Sequence, residues 1–398
     1  MATVNARPTR RQGESEILAA LALDRVPGLG PRTIRWLIDH HGSARGVLKA
    51  HRECSLPDTA SPILEMPRLS KPVREALASL SPAPLSSLQT LARRGIRTLS
   101  YGHREYPRCL NDLPDPPPIV HLRGSGVPAL GRCVAVVGTR SATSYGRGQA
   151  ERIASGLARN GWVVVSGMAR GIDASAHRAA LDSGGTSIGV LGSGLNYEFP
   201  SSNRDLYRQM RQRGLLLSEF PPDQPPTAGC FPRRNRVIAA LAQAVVVIQA
   251  GRRSGALITA GHALDLGRDV FAVPGPVGLN ASVGVNDLLR DGAGLVTSAE
   301  DVLQGLGWTL PEVRDEIRAD ATGALSGLGR PAQRILERLD RGSGGVDELA
   351  VASKLEPGSA LALLSRLELE GWLVSRPGGR FERAGLRPVA SGQSVPPA

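Results

Sequence analysis

The chain has 398 residues, an ordinary apolar share of 41% and a formal net charge of +12. That length allows two or three domains, and no apolar run is long enough to span a bilayer. The surplus of 48 basic over 36 acidic side chains favours a polyanionic partner, because neutralised phosphates release counterions.

The basic residues are almost all Arg, with Lys only at 49, 71 and 354. Arg presents a planar fork that grips phosphate bidentately and stacks on bases. The four cysteines, Cys54, Cys109, Cys133 and Cys230, have neither zinc-ligand nor redox spacing. The first sixteen residues are polar and carry no signal-peptide pattern. A soluble, cytoplasmic protein in a reducing compartment is expected, without membrane contact.

Residues 1–14 read as a disordered tail, and 15–80 as a helical domain. In it, Val26-Pro27-Gly28-Leu29-Gly30-Pro31 precedes Ile34, Leu37 and Ile38 at helical spacing. An apolar-Pro-Gly-apolar-Gly turn between helices is the pattern of a SAM-like or helix-hairpin-helix unit, whose glycines let backbone N–H groups approach a phosphate. A plain packing turn has the same sequence. Residues 51–72 read as loop, and Pro114 to Pro118 as a lead-in to a strand at Ile119-Val120.

A domain over 81–310 alternates strand and helix. Short Val- and Ile-rich runs predict strands at 134–137, 162–165, 187–191, 215–217, 244–248, 270–273 and 295–296. Helices are predicted at 145–160, 174–183, 204–213, 235–242, 255–266 and 286–291. This is the pattern of an α/β fold with a Rossmann-like, doubly wound, mostly parallel sheet. Residues 311–330 read as a linker. Three short helices and a hairpin over 331–384 predict a winged helix, with Leu361, Leu364, Leu367 and Leu369 expected largely on one face of the third. Residues 385–398 read as a disordered tail.

Ligands of open α/β sheets sit at the carboxyl ends of the strands. The first predicted strand there ends in Gly138-Thr139-Arg140-Ser141, and the second in Ser166-Gly167-Met168-Ala169-Arg170-Gly171-Ile172-Asp173. The third ends in Gly192-Ser193-Gly194. Phe231 to Arg236 form a predicted loop before the fifth strand, which is followed by Ser254-Gly255. One rim therefore gathers helix starts, hydroxyls and Arg140, Arg170, Arg234 and Arg236, an anion site by two mechanisms.

The first turn lacks Gly-x-Gly-x-x-Gly spacing and there is no Walker A sequence, so no cofactor is expected. Asp173 and His177 are four apart on a helix, but no nucleophile or metal ligand accompanies them. Asp173 is expected to cap its helix, and His177 to pack or hydrogen-bond nearby. No catalytic residue is assigned, and the chain is read as a non-enzyme.

Taken together, Val137-Gly138-Thr139-Arg140, Tyr145-Gly146, the 166–173 string with His177, Ser218-Glu219, Phe231 to Arg236, Ser254 to Thr259 and Val273-Pro274-Gly275 resemble the DNA-processing protein A family, DprA or Smf. The resemblance implies a homodimer that binds single-stranded DNA and loads RecA recombinase in natural transformation or homologous recombination. It implies phosphate binding by Arg140, Arg170, Arg234 and Arg236, and stacking of a base on Phe231. It implies close backbone approach at Gly138, Ser166, Gly167, Gly171 and Ser254, with Thr139, Asn235 and Gly255 in the same DNA site. Phe199-Pro200 departs from the family's Tyr-Pro. Arg366 is the only basic residue between 357 and 371, so the winged helix is at least as suited to protein contact as to DNA.

Two alternatives stay open. One is a phosphoribohydrolase-like nucleotide-processing enzyme on the same fold. It needs a Glu three residues after the loop Thr, where His262 follows Thr259. The other is a winged-helix regulator of duplex DNA.

Overall fold

The computed structural model describes residues 10–52, 69–125, 131–308, 328–340, 342–370, 372–376 and 378–384. The expected tail over 385–398, most of the linker and most of the 51–72 loop lie outside them. The chain forms two compact units that divide near residue 309.

The first unit opens with helices α1 (Arg10–Asp24), α2 (Pro31–His41), α3 (Ala44–Arg52), α4 (Lys71–Ala78) and α5 (Leu85–Arg93). Helix α1 begins inside the stretch expected as a tail. The Val26–Leu29 turn packs inward: Val26 and Leu29 join Ile34, Leu37 and Ile38 in one buried cluster. Gly28 takes φ +82°, a left-handed turn open to glycine, and Pro31 starts α2 where its missing N–H costs nothing. The cluster includes Ile119 of the sheet, and the Tyr101 hydroxyl donates to Asp39 at 3.0 Å. The helical region is therefore docked on one sheet edge.

The nine strands are β1 (Arg97–Ser100), β2 (Ile119–Gly124), β3 (Cys133–Gly138), β4 (Val163–Ser166), β5 (Ser187–Val190), β6 (Leu215–Ser218), β7 (Ala244–Gln249), β8 (Asp269–Ala272) and β9 (Gly294–Leu295). Their order is β1-β2-β6-β5-β4-β3-β7-β8-β9. From β6 to β9 all pairs are parallel, while β2 runs antiparallel to β6 and β1 antiparallel to β2. The central strands are buried on both faces, which is why their sequences are unbroken Val and Ile runs rather than alternating patterns. Strand β1 and helix α5 were not expected. The four-residue β1 is too short to show a pattern until it pairs with residues 119–122.

The interleaved helices are α6 (Ser144–Arg159), α7 (Ile172–Asp182), α8 (Arg204–Arg213), α9 (Cys230–Leu241), α10 (Gly255–Asp265), α11 (Val283–Arg290) and α12 (Ala299–Gly305). Helix α9 corrects the sequence reading. It starts five residues earlier than expected, so Phe231 to Arg236 are helical rather than loop. Pro232 is tolerated there because first-turn N–H groups have no intrahelical partner. After β3 the chain moves to β4 on one side and later to β7 on the other. The topological switch point, and its crevice, lies between β3 and β7.

The second unit has α13 (Arg330–Leu339), α14 (Val346–Ser353) and α15 (Pro357–Leu369), closed by a sheet of 344–345, 380–383 and 373–376. This is the expected winged-helix plan. Leu364 and Leu367 are buried with Ile335, Leu349 and Leu373. Leu361 and Leu369 instead face outward, at 48% and 85% exposure, so the four leucines do not share one face.

Candidate nucleic-acid interface

A cleft of about 700 Å³ opens at the switch point. It is lined by the loop after β3 (Gly138, Thr139, Arg140), the first turns of α9 (Phe231, Pro232, Arg234, Asn235) and α10 (Gly255, Ala256), and the loop after β7 (Gly251, Arg253, Ser254). A smaller lobe of about 350 Å³ adjoins it, sharing Arg140, Ala169, Phe231 and Arg234 and reaching Arg170, Gly192 and Phe199.

The loop that carries Arg140 is held from below. Thr139 N–H donates to the Gln249 carbonyl at 2.7 Å, and the Gln249 side chain accepts from Thr143 N–H at 3.0 Å. Thr143 in turn caps α6 by accepting from Gly146 N–H at 3.1 Å. Gly138 has no side chain because a Cβ there would lie 2.5 Å from Ile172. The exposed Arg140 guanidinium sits 5.0 Å over the Phe231 ring, at the junction of the two lobes. Such cation–π contact holds the charge over an aromatic face. Among the described residues Arg140, Arg170 and Arg253 make no ion pair. They are exposed cations on one rim.

Arg234 behaves differently. It is buried, and Nη1 donates to the Gly167 carbonyl at 2.6 Å and to the Val190 carbonyl, tying the ends of β4 and β5 together. Gly167 is glycine because a Cβ would lie 2.6 Å from that guanidinium. Asp173 faces the same charge and accepts from Gly167 N–H at 3.2 Å and Ala169 N–H at 3.3 Å. It sits one residue inside α7, whose N-cap is Gly171, so it staples the preceding loop rather than capping the helix. Burial raises its carboxyl above the usual range, with Arg234 opposing. Gly171 takes φ +76°, and a Cβ would strike the Thr139 carbonyl.

His177 is hydrogen-bonded, as expected. The Ser187 hydroxyl gives its proton to the Val164 carbonyl at 2.8 Å, so it accepts from His177 Nδ1–H at 2.6 Å. Nε2 is then a buried lone pair without a partner among the described residues. Burial, with Arg234 and Arg178 nearby, pushes the imidazole down to about 3 and holds it neutral.

Three expectations about the site change. Arg236 does not line the cleft. It is buried against Glu219, Nη2 to Oε2 at 2.5 Å, and donates to the Asp115 carbonyl at 2.8 Å, so it joins α9 to the lead-in loop. Ser166 is fully buried, its hydroxyl donating to the Val136 carbonyl at 2.7 Å, and it presents nothing to a ligand. Asn235 lines the cleft but latches α9 to α10, donating to the Gly255 carbonyl at 3.1 Å. Ser254 caps α10 by accepting from Ala256 N–H at 3.3 Å.

Sequence reasoning missed Arg253, which lines the cleft directly after β7, and expected Glu219 to be exposed, whereas it is buried between Arg236 and Arg233 and orients them. A basic pair between a strand end and a Ser-Gly helix start was the available signal for Arg253. His262 is not among the cleft-lining residues. The described residues hold no group of His, Cys, Asp and Glu suited to a metal ion, and no helix long and apolar enough to cross a membrane.

Comparison with known proteins matches this architecture. Residues 97–307 match the family described as DNA recombination-mediator protein A, and 319–379 match the DprA winged helix domain. A DprA relative from Mycobacterium tuberculosis is 45% identical over 262 residues, which cover 65% of this chain and 67% of the relative. Protein Smf of Synechocystis is 31% identical over 398 residues, covering 91% of this chain and 98% of its own. The crystal structure of DNA processing protein A from Streptococcus pneumoniae superposes with a TM-score of 0.61 at 32% identity, over 75% of this chain and 98% of that one.

Proposed function

The chain belongs to the DNA recombination-mediator protein A family, also named DprA or Smf, and from that premise we propose that its sheet rim binds single-stranded DNA for delivery to a recombinase. The observation that carries the reading is Arg140: an exposed guanidinium stacked on Phe231 at the switch-point cleft, with Arg170 and Arg253 on the same rim. Guanidinium groups track phosphates, and an aromatic ring beside them offers a base a stacking face of any sequence.

On this reading Arg140, Arg170 and Arg253 contact the strand. Thr139, Gly138, Gly255 and Ser254 supply close backbone or hydroxyl approach. Phe231 stacks on a base. Arg234 contributes charge from the cleft wall, while Gly167, Gly171 and Asn235 hold the loops and helices in place. The partner that receives the strand is RecA, the protein acts as a homodimer in the cytoplasm, and it performs no covalent chemistry on the DNA. Natural transformation and recombinational repair are the processes that need such a mediator.

The test is oligonucleotide binding followed over salt concentration, with RecA filament assembly on the same strand as the second readout. Tight, salt-sensitive, sequence-tolerant binding and faster filament assembly are expected. Preference for duplex, or no effect on RecA, would overturn the respective half of the proposal.

A further inference from the structure

We propose that a second cleft, between the N-terminal helices and the sheet edge, binds a free amino acid with a cationic side chain, arginine in preference to its neutral analogues. The inference is independent of the single-strand reading, because this cleft shares no lining residue with the rim.

The cleft encloses about 380 Å³. Pockets for small organic ligands span roughly 300–1,000 Å³. Its walls are the end of α1, one face of α5, β2 and the 221–223 loop. Leu21, Leu91, Pro221 and Pro222 supply an apolar lining, against which the methylene stem of a long cationic side chain packs. Asp24 supplies the acceptor for the charge. It is half-buried and makes no hydrogen bond or ion pair among the described residues. Burial raises its carboxyl above the usual range, and Arg233 and Arg25 oppose this from nearby without bonding it. Asp24 is also the last residue of α1, where the helix dipole disfavours an acid. A ligand cation relieves both conflicts, and a guanidinium does so with two parallel N–H bonds. Asp223, the other acid of the cleft, is already taken. Arg94 Nη1 lies 3.3 Å from both of its oxygens, and Asn196 donates to it at 2.6 Å.

The cleft provides for the opposite charge as well. Arg25 makes no ion pair among the described residues, and α5 starts without a side-chain cap, with Ser86 and Ser87 lining the cleft. A helix start and an unpaired guanidinium both attract a carboxylate. The lined face of α5 from Ser86 to Arg94 is about 12 Å long. Opposite charges carried on a single carbon atom leave most of that length empty. Arginine holds its guanidinium a full side chain away from its carboxylate and spans it. His121 is the third unsatisfied group. Its ring is 3% exposed and lines the cleft, with Nδ1 bonded to the Thr98 hydroxyl at 3.0 Å and Nε2 bonded to nothing among the described residues. Burial pushes it down to about 4, so the ring is neutral and offers the ligand one hydrogen bond. Buried polar groups are normally paired, so a ring nitrogen left open toward a cleft marks the place of a ligand atom.

The experiment is calorimetric titration of the full chain, at matched ionic strength, with L-arginine, L-citrulline, agmatine and N-acetyl-arginine amide. L-Arginine should bind and raise the melting temperature. Citrulline replaces the guanidinium by a neutral urea, and agmatine lacks the carboxylate. Each should bind weaker on the order of tenfold or more, the worth of a hydrogen bond to a charged group. Asp24→Asn should abolish arginine binding and leave the unliganded melting temperature and the single-strand affinity unchanged. Equal binding of arginine and citrulline by the unaltered protein, or no binding of arginine, would overturn the site and leave the single-strand reading standing. So would arginine binding that survives Asp24→Asn. Tighter binding of the acetylated amide than of the free amino acid would overturn the free ligand in favour of an arginine side chain of a partner protein.

Discussion

Arg140 and Arg236 are both arginines in family motifs on one rim, yet they do different work. Arg140 is exposed and stacked on a ring, whereas Arg236 is 7% exposed and paired with a Glu219 carboxylate that is 1% exposed. Arg140→Ala should therefore weaken single-strand binding and lower the slope of log affinity against log salt by about 0.7, the value of one phosphate contact. Arg236→Ala should leave that slope intact and instead destabilise the fold, toward the lower end of about 3–5 kcal/mol, because Arg233 still faces Glu219 at 3.1 Å. Urea denaturation and salt titration of the two variants separate these effects. The difference was not legible in the sequence, because Arg236 acquires its partners from 17 and 121 residues away.

His177 gives a residue-scale prediction in pH. Its ordinary value is 6.5 and the folded value is about 3, so between those limits the unfolded chain binds a proton that the folded chain refuses. Stability is complete above 6.5 and falls as pH drops through that window, by about 1.4 kcal/mol per unit. His121, pushed down to about 4 by burial, acts in the same direction. The urea midpoint should drop between about pH 7 and pH 5, and His177→Gln should make the fall shallower. An equal slope in the variant would contradict the role given to the bare Nε2.

At the scale of elements, the cleft depends on two helices held in register. Asn235 of α9 donates to the Gly255 carbonyl at the start of α10, and those first turns line the cleft. Asn235→Ala should cost about 0.5–1.5 kcal/mol, the worth of one hydrogen bond, because the Gly255 carbonyl still accepts from the Thr259 hydroxyl at 3.5 Å, and it should reduce single-strand affinity with an unchanged salt slope. A lowered slope would mean that Asn235 touches the strand itself. The parallel strands were legible because central strands must be apolar on both faces, and the Val runs at 134–137 and 244–248 say so directly. The start of α9 was not, because Pro232 within Phe231 to Arg236 reads as a breaker until its first-turn position is known. The rim's glycines were legible as positions of close approach. What approaches Gly138, Gly167 and Gly171, however, is the protein itself: Ile172, Arg234 and Thr139.

For the whole molecule, the rim and the winged helix are separate compact units with separate chemistry. The third helix of the second unit pairs its Arg366 with Glu370 at 2.7 Å and turns Leu361 and Leu369 outward, a surface poor in free cation. A chain ending at residue 308 should therefore keep the single-strand affinity of the full protein. A large loss on truncation would move part of the DNA site into the winged helix. The fold class and the rim were readable because strand ends, glycines and helix starts recur along the chain. The division of labour among the arginines needed the third dimension.

The most direct measurement is a salt titration of binding to single-strand and duplex oligonucleotides by the unaltered chain and Arg140→Ala. Tighter binding to the single strand and a linear fall of log affinity with log salt are expected. The variant should show weaker binding and a slope shallower by about 0.7. Equal affinities and equal slopes for the two proteins would contradict the DNA-binding role of Arg140.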